Sequence, residues 1–203
     1  MSRVIKITNT FQTIQGEGKY MGCPTLFIRT TGCNLRCPWC DTKYAYEGGE
    51  ERTVDSLIEE IEKSKLRFVT FTGGEPLLWG EQIKEIVDRV KDKVITVETN
   101  GTILNEYTQM FDYVCFSPKK KIVAAEVRRF IREKHIEADV KVVTDLNGVG
   151  SDMLNYATML MPLSTYSKDD EPIRKKVWNY CVKHNIRYCP RLHVTVWGTK
   201  RGK

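Results

Sequence analysis

Apolar residues spaced three and four apart alternate along the chain with short runs of β-branched and aromatic residues. Val54, Leu57, Ile58 and Ile61 share one face and predict a helix over Val54–Lys65 behind a Thr53 cap. Ile83, Ile86, Val87 and Val90 do the same for a helix over Glu81–Lys91, and further helices are predicted over Ala125–His135 and Ile173–His184. Between them, Thr25–Arg29, Arg67–Thr72, Val94–Glu98, Tyr113–Ser117, Ala138–Val143 and Ala157–Met161 read as strands, with a last one near Arg187-Tyr188-Cys189. Strand and helix alternating in this way predict an α/β fold with a mainly parallel sheet, whose carboxyl strand ends are where ligands are held.

A chain of 203 residues with no internal repeat or low-complexity linker is expected to form one domain, 1–203. The 29% of charged residues and the lack of a long apolar run speak against a membrane protein. The net charge of +6 is spread out. Its short clusters, Lys119-Lys120-Lys121, Arg174-Lys175-Lys176 and the tail residues Lys200, Arg201 and Lys203, lack interleaved aromatics, which argues against nucleic acid, and a small anionic substrate accounts for the excess equally well. Seven cysteines are an odd number, and no signal peptide is apparent, so free thiols in a cytoplasmic protein are expected. Cys115 reads as a buried strand residue and Cys181 as part of a helix face.

Cys33, Cys37 and Cys40 stand apart from the other four in the run Gly32-Cys-Asn-Leu-Arg-Cys-Pro-Trp-Cys-Asp41. Three soft thiolates in one loop favour an iron–sulfur cluster with one iron left open, whereas a structural zinc site takes four protein ligands. This spacing, with the aromatic Trp39 before the third cysteine, resembles the radical S-adenosylmethionine (SAM) enzymes. In that superfamily the open iron of a 4Fe–4S cluster chelates the amino and carboxylate groups of SAM. Thr72-Gly-Gly-Glu-Pro76 then closes a predicted strand, and its Gly73 and Gly74 permit close backbone approach while Glu75 offers an acceptor for an ammonium. Alone it also reads as a tight turn. After the cysteine loop it is similar to the superfamily's glycine-rich motif. Glu98-Thr-Asn-Gly101 and Ser117-Pro-Lys119 close two further strands and read either as turns or as polar ligands for ribose hydroxyls and a carboxylate.

A narrower resemblance covers nearly the whole chain. Phe11-Gln-Thr-Ile-Gln-Gly-Glu-Gly18, Phe27-Ile-Arg29, Cys40-Asp-Thr42, Ser117-Pro-Lys119 and the segment His193 to Gly202 resemble the 7-carboxy-7-deazaguanine synthases. The resemblance implies a partial (β/α) barrel with cluster and substrate at the carboxyl ends of its strands. It also implies conversion of 6-carboxy-5,6,7,8-tetrahydropterin to the deazaguanine with loss of ammonia, on the way to queuosine or archaeosine. In that family a 5′-deoxyadenosyl radical takes a hydrogen atom from the carbon bearing the carboxylate, the ring rearranges, and SAM is regenerated, and the resemblance implies the same here.

Carried over by position, Ile14, Gln15, Gly16, Arg29 and Thr72 are substrate contacts. Trp39, Gly73, Gly74, Glu75, Ser117, Pro118, Lys119 and Met161-Pro162-Leu163-Ser164 are SAM contacts, with Met161 standing where the family commonly has glutamine. By the same resemblance Thr42 is expected to be the protein ligand of a magnesium ion. An electron donor and a homodimer follow from the same resemblance. His193 reads as a substrate-positioning residue or as part of a buried strand. A glycyl-radical activating enzyme shares the cysteine loop but not Gln15-Gly-Glu-Gly18 or the Trp197-Gly-Thr-Lys-Arg201 tail, and a non-catalytic electron-transfer or RNA-binding protein is the alternative of another class.

Overall fold

The computed structural model describes residues 3–164, 170–198, 200 and 202. A nine-stranded sheet has the order β3-β1-β2-β4-β5-β6-β7-β8-β9. Its strands are β1 (Val4–Ile14), β2 (Pro24–Thr30), β3 (Glu50–Thr53), β4 (Phe68–Gly73), β5 (Val94–Thr99), β6 (Tyr113–Phe116), β7 (Ala138–Thr144), β8 (Met159–Pro162) and β9 (Arg187–Tyr188). The strands β2, β4, β5, β6, β7, β8 and β9 are parallel, each to the next, while β1 lies antiparallel between β2 and β3. The sheet is open, a partial barrel, and the helices that link its parallel strands cover one face.

These helices are α1 (Val54–Lys63), α2 (Gly80–Arg89), α3 (Lys121–Lys134) and α4 (Asp170–His184), followed by α5 (Leu192–Trp197). Thr53 caps α1 as expected, its side chain accepting from the Ser56 amide. Ile28, Val69, Phe71, Val97, Val114, Phe116, Val140 and Val142 project from the sheet into a core with Leu57, Ile61, Ile83, Ile86 and Val127, all buried. Each such side chain contributes about 1.5–3 kcal/mol through removal from water.

The other face of the same strands is polar. Thr25, Thr70, Thr72, Thr96, Asp139 and Lys141 are buried there, and Thr70 and Thr96 share a hydrogen bond of 2.8 Å. Buried hydroxyls and charges on this face differ from apolar packing and suit a polar ligand.

The strands β1 and β3 were not anticipated. In β1 only Ile5 and Ile7 are buried among polar neighbours, and β3 is Glu50-Glu-Arg-Thr53, so neither shows an apolar alternation. The segment around His193, for which a buried strand was one reading, is instead the helix α5. Arg201 and Lys203 lie outside the described residues. Among the described residues no helix is long and apolar enough to cross a membrane.

Candidate functional site

At the end of β2 the chain turns at Gly32, whose positive φ of 97° is accessible to glycine and whose amide donates to Ala45 O at 2.8 Å. The loop that follows is held from within. The Arg36 guanidinium donates to Cys33 O at 2.6 Å and Leu35 O at 2.9 Å, and it lies 4.5 Å from the Tyr46 ring centroid. Amides of Leu35 and Thr42 point at the sulfurs of Cys33 and Cys40, each at 3.4 Å. Asn34 joins the loop to the end of β5, accepting from Asn100 Nδ2 at 2.9 Å and donating to Thr102 Oγ1 at 2.7 Å.

All three thiols are half-buried and line one cleft. Burial raises the pKa of Cys33 and Cys37, and Lys119 works against it at Cys37. Loading a cluster therefore releases protons here. Among the described residues no three His, Cys, Asp or Glu side chains group around a single metal ion. The three half-buried thiols of this loop nevertheless all line the same cleft.

The Gly-Gly-Glu turn differs from expectation in what its glycines do. A Cβ on Gly74 would lie 1.9 Å from Gly32 O, and one on Gly73 would lie 2.3 Å from Thr30 O. The missing side chains thus let this turn press on the backbone that carries Cys33, and Glu75 N donates to Gly32 O at 2.7 Å. The Glu75 side chain also departs from its expected role. It is fully buried away from the cleft, and its carboxylate accepts from Thr99 Oγ1 (2.7 Å), Asn100 N (2.7 Å) and Leu77 N (3.0 Å), leaving it to brace strand ends rather than meet an ammonium. Burial raises its pKa, against these three donors.

The cleft measures about 230 Å³ and lies across the carboxyl ends of the parallel strands. Of the expected SAM contacts, Trp39, Gly73, Gly74, Ser117, Lys119 and Met161 line it. Pro118 does not, and Pro162, Leu163 and Ser164 line a smaller neighbouring pocket with Asp170. Lys119 is half-buried, donates to Ser117 Oγ at 2.7 Å, and has its pKa lowered by desolvation and by Lys141.

All five expected substrate residues, Ile14, Gln15, Gly16, Arg29 and Thr72, line the cleft together with Thr42 and His193. Phe11 and Phe27 stack at 5.2 Å beside them, and the Arg29 guanidinium sits 5.6 Å from the Phe11 ring and 5.7 Å from the Tyr44 ring. Glu98 accepts from Thr72 Oγ1 at 2.9 Å and from Gln15 Nε2 at 3.4 Å, which fixes two expected contacts. Thr42 donates to Asp41 Oδ1 at 2.8 Å, so the lone pairs of its hydroxyl stay free for a cation.

Sequence reasoning missed the charges at the back of the cleft. Lys141 forms a buried ion pair with Glu17, and Arg191 reaches Glu17 at 3.9 Å and Asp41 at 3.2 Å. Burial alone would raise the pKa of Glu17, but Lys141, Arg191 and His193 hold it below the usual value; burial opposes the charge on Lys141, and Glu17 nevertheless keeps its pKa well above normal. A lysine in the middle of an apolar strand was the available signal. The helix α5 packs against the edge of the site, since Leu192 N donates to Gly16 O at 3.0 Å and a Cβ on Gly16 would strike His193.

Residues 27–167 match the radical SAM superfamily. Over 210 residues the chain is 32% identical to the 7-carboxy-7-deazaguanine synthase of Thermoplasma acidophilum, covering 97% of this chain and 99% of that one. The synthase of Pyrobaculum aerophilum is 27% identical over 216 residues, covering 98% and 97%. Among solved structures, QueE from Escherichia coli superposes with a TM-score of 0.59 at 18% identity, covering 94% of this chain and 95% of that one. The structure titled anSMEcpe with bound AdoMet gives 0.54 at 16% identity, covering 84% and 63%.

Proposed function

Because this chain belongs to the radical SAM superfamily and, within it, to the 7-carboxy-7-deazaguanine synthases, we propose that it converts 6-carboxy-5,6,7,8-tetrahydropterin to 7-carboxy-7-deazaguanine with loss of ammonia. The observation that carries the substrate is Arg29. Its guanidinium stands in the cleft among Phe11, Phe27 and Tyr44, an arrangement of one planar cation and aromatic walls suited to a flat ring with a carboxylate.

Cys33, Cys37 and Cys40 would hold the 4Fe–4S cluster, and the cleft beside them, with Gly73, Gly74, Ser117 and Lys119, would take SAM. When bound, these groups would supply the one-electron chemistry that removes a hydrogen atom from the substrate. The protein's own share is placement. Arg29 binds the carboxylate, while Gln15 and Thr72, both held by Glu98, offer an amide and a hydroxyl to the ring edge. The helix α5 is anchored on Gly16 and brings His193 into the wall of the cleft. An electron enters from an external donor of this cytoplasmic, single-domain and dimeric enzyme.

Arg29→Gln keeps a polar side chain but loses the charge and the fork. KM for the pterin is expected to rise about tenfold to a hundredfold, the loss of a charged hydrogen-bond partner, with SAM binding unchanged. Steady-state turnover against pterin concentration measures it, and an unaltered KM removes the carboxylate from Arg29.

Thr42 and the substrate carboxylate offer hard oxygens to magnesium. Thr42→Ala is expected to shift the magnesium dependence of turnover to higher concentration with SAM binding intact, and Thr42→Ser to restore it. An identical magnesium titration for Thr42→Ala rules this residue out as a ligand.

A further inference from the structure

Two buried side-chain atoms among the described residues lack a hydrogen-bond partner, Asn9 Oδ1 and Arg29 Nε. One accepts and the other donates. They belong to residues directly opposed in the antiparallel pairing of β1 and β2, where Asn9 faces Arg29. Opposed residues of such a pair share a face and place their Cβ atoms about 4.5–5.5 Å apart. The next pair along that face is Phe11 and Phe27, whose stacked rings form the wall under the Arg29 guanidinium.

The register here is set by an irregularity between Ile7 and Asn9. Thr8, at this irregularity, has its hydroxyl 2.8 Å from Thr31 Oγ1 at the start of the cysteine loop. A bulge of this kind re-aims the side chains beyond it. Without it, the alternation along β1 would put Asn9 on the opposite face from Arg29.

We propose that Asn9 is a positioning residue for Arg29, its amide oxygen accepting from Nε when substrate is bound. This rests on the reading of Arg29 as the carboxylate partner. Nε is shut off from the cleft, so its partner must come from the protein, and the terminal nitrogens of the fork are left to meet the ligand. A buried donor and a buried acceptor left apart each cost free energy that their pairing returns, so substrate binding that draws the guanidinium into register is assisted by Asn9.

The test measures dissociation constants for two pterins on holoenzyme loaded with cluster, SAM and magnesium: 6-carboxytetrahydropterin, and tetrahydropterin without the carboxylate. Wild type is expected to prefer the first. Asn9→Leu, close in volume but without an acceptor, is expected to lose about tenfold of that preference while holding the uncarboxylated pterin as before. Asn9→Asp restores an acceptor and the preference. In an Arg29→Gln background, Asn9→Leu is expected to change nothing further, which a role confined to strand packing would not produce. Asn9→Ala carries the same expectation if Asn9→Leu does not fold. An undiminished preference in either variant, or an equal loss in the Arg29→Gln background, overturns the role of Asn9 alone. A wild type that does not distinguish the two pterins overturns the reading of Arg29 as well.

Discussion

Replacing Cys33, Cys37 or Cys40 by Ala, one at a time, is expected to remove bound iron and abolish turnover. Three thiols from one loop face the cleft, and the remaining cysteines do not join them: Cys115 and Cys189 are buried in the sheet region, Cys181 on α4, and Cys23 precedes β2. No spare thiolate is therefore at hand to substitute. Two thiolates and a solvent ligand leave a second iron open, and the cluster's hold and its tuning by the surrounding shell are both lost. Cys181→Ala provides the comparison, since Cys181 is 3% exposed against the apolar core and its loss is expected to cost stability but not iron. Iron per protein chain and turnover are measured on all four variants. Full activity in any of the three loop variants would refute the cluster assignment.

Gly74→Ala is expected to cost at least about a hundredfold in turnover, the penalty that misplacing a reacting group by roughly 1 Å can carry. The added methyl meets Gly32 O at 1.9 Å and Cys33 Cβ at 3.1 Å, both close to the backbone of the cysteine loop, so neither can swing aside as the end of a long side chain does. The turn must withdraw, and the hydrogen bond from Glu75 N to Gly32 O goes with it. Gly148→Ala is a fair control, because the nearest atom to its Cβ is Asp145 Oδ2 at 3.7 Å, an ordinary contact. Turnover and iron content of the two variants decide the matter, and a Gly74→Ala enzyme as active as wild type would show that the turn and the loop are not coupled.

The helices α1 and α2 were legible because their apolar faces repeat with a clear period, down to the Thr53 cap, and strands such as β6 and β8 because they are short, continuously buried apolar runs. β1 was not, since only Ile5 and Ile7 of it are buried, while Phe11, Thr13 and Ile14 line the cleft and its two ends pair with different strands, β3 and β2. The cysteine loop was found through the spacing of its thiols, whereas Arg29, Gln15 and Thr72 came only from the family resemblance; all of them line one cleft. Glu75 shows the limit of such reading. Its motif is right, but which way a carboxylate turns depends on the hydroxyl and amides of Thr99, Asn100 and Leu77, which arrive from other segments. The same holds for Glu17, Lys141 and Arg191, distant in sequence and meaningful only once the strands and α5 bring their charges together.

The central claim is that the three-cysteine loop and the Arg29 cleft form a single site for rebuilding a carboxylated pterin. Its most direct measurement is product analysis after anaerobic reconstitution with iron and sulfide, followed by incubation with SAM, a one-electron reductant, magnesium and 6-carboxy-5,6,7,8-tetrahydropterin. The account predicts 7-carboxy-7-deazaguanine and ammonia in equal amounts, dependent on SAM and absent with Cys37→Ala. Cleavage of SAM to 5′-deoxyadenosine by the loaded protein, with the pterin recovered unchanged, would contradict it.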